Sequence, residues 1–204
     1  FISIVSHEIR TPASVIKGYT ELLLSELPGP LNAQQKEFLS KVLSDNKLLL
    51  DRVTELLEIS EVKTAHLEVF SEPIDAVQIV KAMVFLKKAE CLSKGIEISY
   101  KFPYAKIEIY TDKNRLSKII EHLLSNAINF TPRGGKISIS YEKSEDRHVF
   151  HIIDTGIGIH KSEIPKIFDK FYQIEDTLCR ETGGLGLGLS IVKYTLSILK
   201  GNIY

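Results

Sequence analysis

No stretch of the chain approaches the roughly 18 consecutive apolar residues that a membrane-spanning helix needs, and no signal peptide is legible at its start. Nor does charge of one sign dominate: 26 Lys and Arg stand against 26 Asp and Glu. A neutral chain has no general attraction to nucleic acid or to an anionic membrane, so partners of those kinds are not expected. Cysteine is scarce. Cys91 and Cys179 lie far apart and in no metal-ligand spacing; they read as reduced thiols of a cytoplasmic protein, and a bridge between them is the other arrangement the sequence permits. Internal repeats and low-complexity segments are missing too. What remains is ordinary globular composition, 44% hydrophobic and 25% charged over 204 residues, which suits one or two domains with cores of their own. The chain opens without methionine and inside a helical pattern. It is therefore expected to be a segment of something longer, any membrane-spanning part lying upstream.

The most informative stretch is Val5-Ser6-His7-Glu8-Ile9-Arg10-Thr11-Pro12. Apolar residues run through it at Ile2, Val5, Ile9, Pro12, Ile16, Tyr19 and Leu23, the alternating three-four spacing of a helix packed in a bundle. On the heptad that sets Ile2 at position a, His7 falls at f, away from the seam. An outward histidine is by itself an ordinary solvated side chain. Here Glu8 adjoins it, and Thr11 follows one turn on, where i and i+4 side chains share a face. A carboxylate that orients one ring nitrogen leaves the other free to attack an electrophile such as a phosphoryl group. Pro12 removes a hydrogen bond inside the helix, which suggests a bend one turn past the histidine.

The first helix is expected to run to about Leu27 and to end at Pro28-Gly29-Pro30. A second follows, with Leu39, Val42, Leu49, Val53, Leu56 and Ser60 on the same spacing and Asn46 in the missing seam position, either a register-fixing polar residue or a tolerated one. A hairpin of this kind has an apolar face that one copy cannot cover, so a homodimeric four-helix bundle is expected, with the hairpin spanning 1–64. From 67 to 204 the pattern changes to mixed strands and helices. Leu67–Phe70 reads as a short strand, Pro73 to about Leu92 as a helix, and Ile96–Tyr100 and Ile107–Tyr110 as strands. Asp112 is placed to cap a helix running to about Phe130. Lys136–Tyr141 and His148–Asp154 read as a β-hairpin. A short helix after Ile159, a loop and a final helix from near Gly186 complete an α/β sandwich with helices on one face of a mixed sheet. Gly201–Tyr204 resembles the start of a further strand.

Three pieces of this second region carry chemistry. Asp154-Thr155-Gly156-Ile157-Gly158-Ile159 follows an apolar strand; its glycines allow close approach of a flat ligand and Asp154 offers an acceptor, although a tight turn with an Asx cap has the same sequence. Gly183-Gly184-Leu185-Gly186-Leu187-Gly188 opens an apolar helix, whose N-terminal N–H groups and dipole suit phosphates. Neither a Walker lysine nor a dinucleotide-fold context accompanies it. On the helix before Pro132, His122, Asn126 and Asn129 line one face, where amide oxygens suit Mg²⁺ beside a nucleotide's phosphates.

Taken in order, His7-Glu8-Ile9-Arg10-Thr11-Pro12, Asn126, Asp154 to Gly158, Phe168 with Phe171, and Gly184 to Gly188 resemble the H, N, G1, F and G2 boxes of bacterial two-component sensor histidine kinases. The resemblance implies a dimerisation and histidine-phosphotransfer hairpin followed by a catalytic ATP-binding domain of the Bergerat (GHKL) type. It implies ATP and Mg²⁺ as ligands, autophosphorylation at a histidine, and a response-regulator receiver aspartate as the acceptor. Position by position, His7 resembles the phosphoacceptor and Glu8 its base, while Thr11 matches the residue that orients water for receiver dephosphorylation in bifunctional members. Asn126 matches the Mg²⁺ ligand. Asp154 matches the reader of the adenine amino group, with Gly156, Gly158 and Ile159 around the ring and Asn129 and Phe130 lining the same cavity. Gly184, Leu185, Gly186, Leu187 and Gly188 would wrap the triphosphate. Lys161–Gly184 corresponds to the mobile lid, anchored by Phe168 and Phe171. The chain departs from the pattern at His122, where the family often has asparagine; at Asn129, where it often has lysine; and at Gln173, where a lid arginine often stands. Lys170 or Arg180 is left to supply positive charge at the γ-phosphate. The alternative reading is a catalytically degenerate dimeric signalling scaffold.

Overall fold

The structure, a computed structural model, describes residues 2–64, 68–145, 147–174 and 184–204. The chain divides into two compact units, Phe1–His66 and Leu67–Tyr204.

The first unit is a hairpin of α1 (Ile2–Leu24) and α2 (Ala33–Thr64). Pro12 lies inside α1, which continues past it. The helix stops three residues short of the Leu27 expectation. Glu26 takes a left-handed conformation (φ 56°), and its carboxylate accepts the Leu31 N–H at 2.9 Å and pairs with Lys36 at 3.0 Å. Chain reversal therefore begins before Pro28. α2 starts on a reciprocal cap: Asn32 Oδ1 accepts the Gln35 N–H at 2.8 Å, and Gln35 Oε1 accepts the Asn32 N–H at 2.9 Å. The pair satisfies two of the donors that a helix start leaves orphaned.

The two helices meet through small residues. Ser6, Ala13 and Thr20, seven apart, are buried, as are Asn46 and Val53 of α2. Close approach of the backbones lets Asn46 Nδ2 donate to the Ala13 carbonyl at 2.7 Å. The large apolar residues of the heptad seam point elsewhere: Val5, Ile9, Ile16, Tyr19 and Leu23 on α1 and Val42 and Leu49 on α2 are exposed in the single chain.

The second unit contains β1 (Glu72–Asp75), α3 (Ala76–Lys94), β2 (Glu97–Lys101), β3 (Glu108–Thr111), α4 (Lys113–Phe130), β4 (Lys136–Ser144), β5 (Arg147–Asp154) and α5 (Gly188–Ile198). β1 pairs antiparallel with β3; β2 runs parallel to β4, which pairs antiparallel with β5. Helix α3 and helix α4 supply the apolar layer over the mixed sheet. Val77, Val80, Ile120, Leu124 and Ile128 pack in one core with Ile137, Ile139 and Tyr141, the inward alternate residues of β4. Each such side chain contributes about 1.5–3 kcal/mol by leaving water.

Several boundaries differ from the sequence expectations. Glu68–Phe70 is not a strand, because the Phe70 N–H is drawn to Asp112 Oδ2 (3.2 Å) rather than to a ladder. The strand forms at Glu72–Asp75, where Pro73 faces Tyr110 in a two-stranded pair that tolerates its missing donor. Helix α3 then starts at Ala76 instead of Pro73, capped by Asp75 Oδ1, which accepts the Val77 N–H at 3.0 Å and the Ile107 N–H at 3.1 Å. Residues 161–168 form consecutive turns, not a helix: Pro165 has no N–H to give, and the bonds are mixed, Glu163 N–H to His160 O closing over three residues and Ile167 N–H to Glu163 O over four. The final helix begins at Gly188, because Gly186 is left-handed (φ 70°). Gly201–Tyr204 is not paired as a strand.

Candidate functional site

In the first unit, position f of the heptad does leave His7 facing solvent; its side chain is 76% exposed. The Glu8 carboxylate stands 3.9 Å from Nδ1, a charge contact longer than a hydrogen bond. Thr11 Oγ1 donates to the His7 carbonyl at 3.2 Å, so its hydroxyl is turned onto its own helix. The imidazole is thus accessible, and the nitrogen nearer the carboxylate is Nδ1.

In the second unit the site is built around α4. Asp112 caps its start: Oδ1 accepts the Asn114 and Arg115 N–H groups at 3.0 and 3.1 Å. At its other end the Phe130 carbonyl accepts the Ile157 N–H at 3.2 Å, which ties the Asp154–Gly158 loop to the helix. A Cβ on Gly156 would lie 2.6 Å from that carbonyl, so only glycine fits. Asp154 Oδ1 accepts the Gly156 N–H at 2.8 Å. The Asx turn read as an alternative is therefore present, and it uses one carboxylate oxygen, the other having no hydrogen bond among the described residues. Gly158 is left-handed at φ 71°, and Ile159 is exposed beside it. Thr155 Oγ1 accepts the Lys136 N–H at 2.9 Å and fixes the loop to β4.

One turn before Phe130, Asn126 meets the start of α5. A Cβ on Gly188 would stand 3.9 Å from Asn126 Oδ1 and 3.6 Å from His122 Nδ1, so both side chains face the helix N-terminus. Upstream, the Gly186 carbonyl accepts the Phe171 N–H at 3.0 Å, and a Cβ on Gly186 would strike the Tyr172 carbonyl at 2.5 Å. Gly184 is held by Gln173, whose Nε2 donates to its carbonyl. Leu187 is wholly buried and Leu185 half-buried, anchoring the segment between the glycines. Thus the Asp154 loop and the glycine segment both approach α4, the loop through Gly156, where only glycine fits, and the segment through Gly188, where a Cβ would make ordinary contact.

Of the remaining expected residues, Asn129 is not free: its Oδ1 accepts from Lys94 Nζ at 3.3 Å. Lys170 is exposed just before Phe171. Arg180 and Cys179 lie outside the described residues, as does Gly183. Phe168 is half-buried with Lys193 Nζ 5.4 Å from its ring centroid, whereas Phe171 is exposed and left-handed at φ 64°. The sequence reading missed Tyr172, whose hydroxyl donates to Glu163; that bond, with Ser162, holds the Glu163 carboxyl below its usual range. It also missed Lys94. The Pro132 immediately after α4 is the signal that would have found it, since it leaves a helix carbonyl without its usual donor.

The donor set limits what can be bound. Among the described residues no group of three or more His, Cys, Asp and Glu could hold a metal ion. A divalent cation would rest on Asn126 Oδ1 together with oxygens brought by a ligand, a chemistry that suits Mg²⁺ carried on phosphates. The fit to a nucleotide is better defined: a carboxylate acceptor at Asp154 on a loop that Gly156 fixes to α4, open space beside Gly158, and a helix start behind Gly186 and Gly188.

Known proteins fall in line with this arrangement. Residues 1–64 match the His Kinase A (phospho-acceptor) domain, and residues 111–204 match the histidine kinase-, DNA gyrase B- and HSP90-like ATPase family. The sensor protein SrrB of Staphylococcus aureus (strain MRSA252) is 32% identical over 204 residues, covering 100% of this chain and 34% of SrrB. The autoinducer 2 sensor kinase/phosphatase LuxQ of Vibrio harveyi is 31% identical over 209 residues, covering 100% of this chain and 24% of LuxQ. The chain thus spans between a quarter and about a third of the length of these relatives. Among solved structures, full-length ShkA in complex with AMPPNP superposes with a TM-score of 0.78 at 27% identity, over 98% of this chain and 41% of ShkA. The chain belongs to the two-component sensor histidine kinases, as a phosphoacceptor hairpin followed by an ATPase domain of the kind shared with gyrase B and HSP90.

Proposed function

We propose that this chain phosphorylates itself on His7 from Mg·ATP held by the second unit, and passes the phosphoryl group to an aspartate of a response-regulator receiver. The observation that carries the proposal is the accessible imidazole of His7 beside Glu8 in a chain whose other unit brings the Gly188 helix start against Asn126 and the Asp154 loop against the end of the same helix. Nε2, the nitrogen turned from Glu8, attacks the γ-phosphorus. The bond from that phosphorus to the bridging oxygen of ADP breaks, and the Nδ1 proton passes to the Glu8 carboxylate. A divalent cation bound with the nucleotide would neutralise developing phosphate charge, with Asn126 as its protein ligand. The protein's own work is positioning: Asp154 and Gly156 seat the base, the N–H groups at Gly186 and Gly188 face the phosphates, and Lys170 is the lid cation placed to meet the γ-phosphate.

The exposed seam of Val5, Ile9, Ile16, Tyr19 and Leu23 is the surface for a second copy, which closes a four-helix bundle. Phosphatase activity toward the receiver is a second reading, favoured by Thr11 one turn beyond His7 and matched in name by LuxQ. The test of the first reading is uptake of label from γ-labelled ATP: His7→Gln should take up none, and uptake equal to that of the unaltered chain contradicts it.

A further inference from the structure

The last residue of α3 reaches the end of α4. Gly95, left-handed at φ 67°, caps α3 and turns the chain, while the Lys94 side chain extends across to place Nζ 3.3 Å from the Ile128 carbonyl and 3.3 Å from Asn129 Oδ1. The first contact has a local cause. In a helix the Ile128 carbonyl would accept from the residue four further on, which is Pro132 and has no N–H. The ammonium supplies the missing donor, and its charge suits the negative end of the helix dipole.

The second contact fixes the orientation of a side chain that the sequence places in the nucleotide site. An ammonium has three donors and no acceptor, so the atom of Asn129 that faces it must be the amide oxygen. Its NH₂ group is thereby turned the other way. Asn129 lies one turn from Asn126 on the same face of α4, between the Gly188 end and the Gly156 end of the site.

We propose that Lys94 is a positioning residue for the nucleotide: by occupying Asn129 Oδ1 it locks that amide as a hydrogen-bond donor to a phosphate oxygen. The two asparagines of α4 then divide the work. Asn126 keeps its oxygen for a cation, and Asn129 offers only N–H. This rests on the reading of the second unit as an ATP site.

The test is a double-mutant cycle on the intact chain, with calorimetric Kd values for Mg·ADP and thermal midpoints without nucleotide. Lys94→Met and Asn129→Ala should each weaken binding about three- to tenfold, the loss of one hydrogen bond. The double variant should be no weaker than the worse single variant, because Lys94 acts through Asn129. Lys94→Arg, which keeps a donor-only cation, should restore most of the affinity. If Lys94→Met lowers the midpoint and leaves the Kd unchanged, or if the two losses multiply, Lys94 is a helix cap alone and the proposal is overturned. Absence of Mg·ADP binding by the unaltered chain would overturn the ATP reading and this inference with it; binding that is lost in Asn126→Ala but insensitive to Lys94→Met would overturn only the inference.

Discussion

The Phe130 carbonyl lies 2.6 Å from where a Cβ on Gly156 would sit, closer than real Cβ atoms come to backbone. The end of the asparagine-bearing helix and the loop after β5 are therefore in contact through a glycine that has no substitute. Gly156→Ala should push the Asp154 loop off α4 and weaken Mg·ATP binding by about five- to 150-fold, since about 1–3 kcal/mol of overpacking falls on the site itself. Calorimetry measures it; an unchanged Kd would mean that this loop does not seat the nucleotide.

Asn46 and Ala13 are joined inside the hairpin by a buried bond of 2.7 Å. Asn46→Ala removes it and leaves space between two closely packed helices. The expected cost is about 1–2 kcal/mol, read as a lower denaturation midpoint. Because Asn46 faces its own hairpin and the apolar seam faces outward, the variant should still dimerise in analytical ultracentrifugation. Dissociation without loss of midpoint would place Asn46 at the dimer contact instead.

Thr11→Ala should slow dephosphorylation of the phosphorylated receiver while sparing label uptake at His7. The Thr11 hydroxyl now sits on the His7 carbonyl, and a rotation frees it for water. Both rates are read in one gel assay with purified receiver. Equal loss of the two would assign Thr11 to helix structure.

Unit 2 should lose stability on mild acidification through His148. Partial desolvation against the sheet, with the Lys143 charge adding to it, holds this largely exposed imidazole below its ordinary 6.5, and its Nδ1 lies 2.9 Å from the Tyr141 hydroxyl. As pH falls below 6.5 the unfolded chain takes up the proton first, so stability declines from there down through the folded pKa. Above 6.5 neither state is protonated and the term vanishes. Thermal midpoints from pH 7.5 to 5 should fall less steeply in His148→Asn than in the parent, and parallel slopes would contradict the assignment.

Much of this was legible in the sequence because the signals were periodic or local. The heptad spacing put His7 outward, alternation defined β4, and Asp112 announced the cap of α4. What the sequence concealed depended on partners distant along the chain. Glu68–Phe70 had strand composition, but its free N–H at Phe70 went to Asp112, 42 positions on. Pro73 looked like a helix start, yet Asp75 was the better cap because its carboxylate also served Ile107. The heptad itself was ambiguous in a specific way: it does not say whether the large or the small residues face the helix of the same copy. The small ones do, through Ser6, Ala13 and Thr20. For the nucleotide site, residue types were readable while orientations were not, and Asn129 acquired its direction only from Lys94.

The proposed reaction is a transfer from ATP to one ring nitrogen of one histidine. Phosphorus NMR of the intact chain after incubation with Mg·ATP, supported by peptide mapping, tests this most directly. The predicted result is a single acid-labile phosphohistidine at His7, on Nε2. A phosphoryl group on any other residue, or none on a chain that binds Mg·ATP, would contradict it.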